Sequence, residues 1–94
     1  MWTIVRCFIV YIQYNLIMIS EEELQLKALG ERLRKYRLEK GFSQESFAEK
    51  TQLDRTYISG LERGKRNPSF LIIRRISKVL EISEQQLFES GDVK

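Results

Sequence analysis

Four residues suited to beginning helices, Ser43, Asp54, Ser69 and Ser83, recur at intervals of 11 to 15 residues along the second half of this 94-residue chain. Each can accept a hydrogen bond from the backbone N–H groups that the start of a helix leaves unpaired. The spacing leaves room for helices of about two to three turns, and isolated helices that short are marginal in water. They persist only by packing apolar faces on one another. After residue 20 there is no strand-like alternation, repeat or low-complexity tract. The predicted fold class is all-α.

Ser20-Glu21-Glu22-Glu23 reads as a capping box that opens a first helix, with Leu26, Leu29, Leu33 and Tyr36 inward and Gly41 as its stop. Gly30 weakens its middle, so the portion before it is expected to fray or form a separate turn. Ser43 caps a second helix through Lys50, with Phe47 and Ala48 inward. Thr51-Gln52-Leu53 connects to Asp54, which caps a third helix from Arg55 to Arg63 that buries Ile58 and Leu61 and stops at Gly64. Lys65-Arg66-Asn67-Pro68 is a loop, because Pro68 disfavours helical geometry at Asn67. Ser69 caps a fourth helix through Leu80, with Phe70, Ile73, Ile76 and Leu80 as its inward stripe. Ser83 caps a fifth that ends near Ser90. Residues 20–94 form one five-helix domain.

The preceding residues 1–19 are an extension of different character, rich in β-branched and aromatic types. A membrane span is interrupted by Arg6, Gln13 and Asn15, and a signal peptide would place its charge before the apolar run and end in small residues. A strand-like arm packed on the domain or on a partner is one expectation. Translation starting at Met18, just ahead of the first helix signal, is the other.

The chain has no His and one cysteine, Cys7, which removes the commonest general base, imidazole metal ligands and any intramolecular disulfide. No nucleophile with a base, metal cluster or glycine-rich phosphate loop is present, so no enzyme activity, metal, cofactor or small-molecule substrate is expected. The net charge of +3 is uneven: residues 55–79 carry Arg55, Arg63, Lys65, Arg66, Arg74, Arg75 and Lys78 against Glu62 alone. Such a concentration suits a polyanion-binding face, and it equally suits a solvated one.

Two short helices joined by a tight turn, the second bearing polar groups outward, form a helix-turn-helix. Ala48 is small where the helices cross, Leu53 anchors the turn, and the outer face of the second helix is Arg55, Thr56, Ser59 and Gly60, with Tyr57 at its margin. A helix with short and basic groups at its N-terminal end can enter the major groove of double-stranded DNA. There Arg pairs with guanine O6 and N7, and Thr touches a thymine methyl. Gln44, beginning the preceding helix, is placed to meet a phosphate or base edge.

From Leu29 to Glu89 the chain resembles the Cro/C1-type (XRE-like) helix-turn-helix family, a lambda-repressor-like fold, through Ser43-Gln44, Ala48, Ile58 and the Glu62-Arg63-Gly64 ending. The run Asp54-Arg55-Thr56-Tyr57-Ile58-Ser59-Gly60 is similar to the controller proteins of bacterial restriction–modification systems. The resemblance implies a homodimer on a near-palindromic operator upstream of its own gene, activating that gene and an endonuclease gene and repressing at higher concentration. RNA polymerase is then a further partner, and the bacterial cytoplasm, at the nucleoid, the location. Direct readout by Arg55, Thr56, Tyr57 and Ser59 is implied, with Arg66 and Asn67 also at the DNA, and with Arg37 and Glu62 as a helix-to-helix ion pair. Gln52 departs from the family at a turn position that usually holds Gly. A phage-type repressor or an antitoxin with the same domain fits these residues too, and more distantly a protein-interaction or membrane-tethered adaptor using residues 1–19.

The fourth helix carries more apolar residues than one core covers. Leu71, Ile72 and Val79, with Leu87 and Phe88 of the fifth, are the candidate dimer interface, while Arg63, Arg74 and Arg75 read first as helix-end or solvated charges.

Overall fold

The computed structural model describes residues 2–89, with side chains described from Glu21 to Glu89. Among the described residues there are five helices: α1 (Trp2–Glu39), α2 (Gln44–Thr51), α3 (Arg55–Glu62), α4 (Phe70–Leu80) and α5 (Glu84–Phe88). Among the described residues there is no strand. The readings that rest on the side chains of Arg6, Cys7, Gln13, Asn15 and Met18, and on Ser90, lie outside the described residues.

The predicted caps at Ser43, Asp54, Ser69 and Ser83 all form, each side chain accepting a backbone N–H of the first turn that follows. Around Ser43 the box closes reciprocally: the Ser43 hydroxyl accepts the Ser46 backbone N–H, and the Ser46 hydroxyl accepts that of Ser43. Gly41 and Gly64 follow α1 and α3 with φ of +80° and +74°. Gln52 does adopt the left-handed conformation, with φ 59° and ψ 37°, and Glu81 after α4 does the same at φ 60°.

Two expectations for the first helix are corrected. Helix α1 runs through Ser20, so no helix begins there and the segment before it is helical rather than strand-like. Neither Gly nor Pro occurs between Trp2 and Leu29, and the Glu21-Glu22-Glu23 run is made of good helix formers, so the backbone has no reason to stop. Nor does Gly30 fray the helix. It is buried where α1 crosses α3, and a Cβ there would lie 2.3 Å from the Leu61 carbonyl oxygen and 2.5 Å from that of Glu62. The absent side chain permits the close crossing.

The core is Leu33, Phe47, Ala48, Ile58, Leu61, Ile73, Ile76, Leu80 and Leu87, with Leu29, Tyr36, Leu53, Tyr57, Ile72 and Val79 packed at its edge. Each large side chain buried this way contributes roughly 1.5–3 kcal/mol. Phe70 was expected inward and is instead 65% exposed. It occupies the first position of α4, beyond the reach of the core, with Arg74 over its ring.

Candidate nucleic-acid interface

Helices α2 and α3 and the turn between them build the helix-turn-helix. The turn is closed by the N–H groups of Gln52 and Leu53, which reach back to the carbonyls of Glu49 and Ala48. Buried Ala48 lets the two helices approach, and Thr51 returns its hydroxyl to the Phe47 carbonyl at 2.8 Å. Ile58 and Leu61 fix the inner side of α3 against the core.

A buried ion pair locks α3 to α1. Arg37 Nε and one terminal nitrogen donate to the two carboxylate oxygens of Glu62 at 2.5 and 3.0 Å, and Arg37 also donates to the Phe42 carbonyl. Gln44 Nε2 donates to the same carboxylate at 3.0 Å. The Gln44 amide nitrogen, expected at a phosphate or base edge, is thus engaged within the domain, leaving its carbonyl oxygen as the group without a protein partner among the described residues.

With its inner side fixed, α3 turns Arg55 and Thr56 to solvent at its N-terminal end, with Ser59 half-buried one turn later. The Asp54 carboxylate accepts from both the backbone N–H and the hydroxyl of Thr56. These bonds, the hydroxyl's first, hold the Asp54 carboxyl below its ordinary value of 3.8. With its hydroxyl proton engaged in the cap, Thr56 offers chiefly its methyl group outward.

Tyr57 packs at the core edge, and the Arg66 guanidinium lies 5.7 Å above its ring. Gly60 was read as part of the outer face but is buried, because the stem of Arg66 covers it. The loop residue Arg66 is thereby brought onto α3 beside Tyr57, and Asn67 follows, exposed. Arg63 Nε lies 3.4 Å from Ser59 Oγ, so the cationic surface continues along α3. Nothing in residue spacing signals that Arg66 folds back on Gly60; a helix glycine two residues past Ile58 is the single hint.

The expected interface residues separate on burial. Leu71 and Phe88 are 70% and 55% exposed, Ile72 and Val79 are half-buried against the core, and Leu87 is a core residue at 1% exposure. Leu87 is therefore removed from the surface set: its short helix is drawn onto α1 by Arg32, which donates to the carbonyls of Leu87 and Phe88.

Residues 33–87 match the family model described as helix-turn-helix. The control protein C.MunI of Mycoplasma sp is 50% identical over 60 residues, covering 63% of this chain and 81% of its own length. Among solved structures, the restriction-modification controller protein C.AhdI from Aeromonas hydrophila is similar with a TM-score of 0.65 at 44% identity, over 67% of this chain and 96% of that one. SinR, the master regulator for biofilm formation, solved in complex with DNA, gives 0.63 at 37% identity, over 65% and 98%.

Proposed function

The chain belongs to the helix-turn-helix family, and from that membership we propose that it is a sequence-specific DNA-binding transcription regulator, the controller of a restriction–modification system. Its relatives C.MunI and C.AhdI are control proteins by name, and SinR was solved on DNA, which supports carrying these roles over. The observation that carries the reading is the arrangement of α3. Arg55 and Thr56 stand exposed at its N-terminal end while Arg66 is held over Gly60 and Tyr57 beside them.

In this reading α3 enters the major groove. Arg55 reads a guanine edge, the Thr56 methyl meets thymine, and Tyr57, Ser59, Arg66, Asn67 and Gln44 complete the surface against bases and phosphates. Two copies join through the exposed Leu71 and Phe88 with the edges of Ile72 and Val79, placing their α3 helices in successive major grooves of a near-palindromic operator. That operator lies upstream of the chain's own gene and an endonuclease gene, within reach of RNA polymerase, in the bacterial cytoplasm. Affinity comes largely from cationic contacts to phosphate, and specificity from α3 together with the deformability of the spacer.

Footprinting of the purified protein on DNA upstream of its own gene, across a salt series, tests this. A near-symmetric protected site that weakens steeply with salt is expected. Absence of protection at low salt on that DNA, and on a pool of random duplexes, overturns it.

A further inference from the structure

Glu62 holds more than its ion-pair partner. Its Oε1 accepts from Arg37 and from Gln44 Nε2, each at 3.0 Å, while its Oε2 accepts from Arg37 Nε. The Glu62 side chain is 3% exposed and Arg37 grips both of its oxygens, so it is a fixed charge against which the Gln44 amide must orient. A carboxylate accepts and cannot donate, so the end of Gln44 that turns to it is the nitrogen. The same charge repels the Gln44 carbonyl oxygen. Donation from the N–H anti to that carbonyl keeps the oxygen farthest from Glu62.

What Gln44 keeps for other partners is a planar edge, with the carbonyl oxygen as acceptor beside the second N–H of Nε2 as donor. In the major groove that pair matches adenine, whose N6 amino group donates and whose N7 accepts. Guanine presents two acceptors, N7 and O6, cytosine a donor alone, and a phosphate no donor, so none of these engages both groups. The position suits a base edge too. Gln44 is half-buried at the first position of α2 and is bonded to the last residue of α3. Ser59, three residues before Glu62, is the neighbour of Glu62 on the helix surface, and Arg55 lies one turn before Ser59. Gln44 thus extends the row of α3 side chains assigned to bases.

We propose that Gln44 reads an adenine through its carbonyl oxygen and Nε2, and that Glu62 is the positioning residue that sets the amide for it. The inference rests on the DNA-binding reading above. It gives the buried Arg37–Glu62 pair a part in specificity as well as in holding α3 to α1: the charge that ties the two helices also decides which hydrogen-bonding edge Gln44 shows.

The test is selection from a random duplex pool with the whole chain, followed by titrations on the selected DNA. A wild type that enriches no consensus overturns the DNA-binding reading itself; a consensus with no adenine that depends on Gln44 overturns this inference alone. Gln44→Leu is expected to lose the preference for one adenine in each half-site, with affinity for the consensus down about tenfold and the salt slope unchanged. 7-Deazaadenine at that position, which lacks the N7 acceptor, is expected to weaken the wild type and not Gln44→Leu. Arg37→Met with Glu62→Leu removes the orienting charge and is expected to lose the same preference while still melting as a folded domain. If that double variant does not fold, Gln44→Leu and the 7-deazaadenine duplex decide. An even loss across all sequences in Gln44→Leu, with the salt slope lowered by about 1, assigns Gln44 to a phosphate and overturns the proposal. An adenine preference kept by the folded double variant overturns it as well.

Discussion

The guanidinium of Arg66 stands 5.7 Å above the Tyr57 ring, and its stem lies where Gly60 has no side chain: a Cβ there would sit 2.8 Å from Arg66 Cγ. Gly60→Ala therefore displaces Arg66 while adding a better helix former to α3, a gain of up to about 1 kcal/mol. The expected outcome is a melting temperature unchanged or raised, together with operator affinity reduced about tenfold, or 1.4 kcal/mol. Paired thermal melts and gel-shift titrations check both halves.

Arg55 and Arg66 should fail differently. Arg55→Ala is expected to cost about 1–3 kcal/mol on the operator and to relax the preference for one base. Arg66→Ala should weaken binding evenly on cognate and scrambled DNA and lower the salt slope by about 1. Equal behaviour of the two variants across the salt series counts against this division of roles.

Gly30 faces main chain, which cannot swing aside. With a Cβ only 2.3 Å from the Leu61 carbonyl oxygen, Gly30→Ala must push α1 and α3 apart. A loss near the upper end of about 1–3 kcal/mol is expected in denaturant unfolding. Helix propensity alone would have pointed to stabilisation.

The Arg37–Glu62 pair is nearly inaccessible to solvent, so removing one partner strands the other. Arg37→Met leaves the Glu62 carboxylate with Gln44 as its remaining side-chain donor and is expected to cost about 3–5 kcal/mol. Arg37→Met with Glu62→Leu should recover most of that loss, as a double-mutant cycle would measure.

Asp54 links the start of α3 to pH. Its folded value lies below 3.8, so the carboxylate's contribution to stability is complete above 3.8 and is lost as pH falls through the folded value. Asp54→Asn keeps an oxygen acceptor for the Thr56 N–H but does not titrate. Acid unfolding followed by circular dichroism should therefore be shallower below 3.8 in the variant.

The helix starts were legible because a cap is a local device: Ser43, Asp54, Ser69 and Ser83 act on N–H groups within three residues of themselves. The outward face of α3 was legible for the same reason, since the inward Ile58 and Leu61 fix where Arg55 and Thr56 point. What escaped depends on meetings between distant segments. Gly30 looked like a weak point until Leu61 was placed against it, and Leu87 looked like a surface residue until Arg32 drew α5 onto α1. Gln44 looked free because Glu62 lies 18 positions away. Glu81 gave no warning of its left-handed backbone, a conformation for which Gly or Asn would have been the signal.

Arg32 grips α5 through the carbonyl oxygens of Leu87 and Phe88 rather than through their side chains. Every amino acid supplies a carbonyl, so this attachment places no demand on which residues occupy the end of α5, and only Leu87 is committed to the core. Phe88 and its neighbours are thus free to drift over generations without undocking the helix.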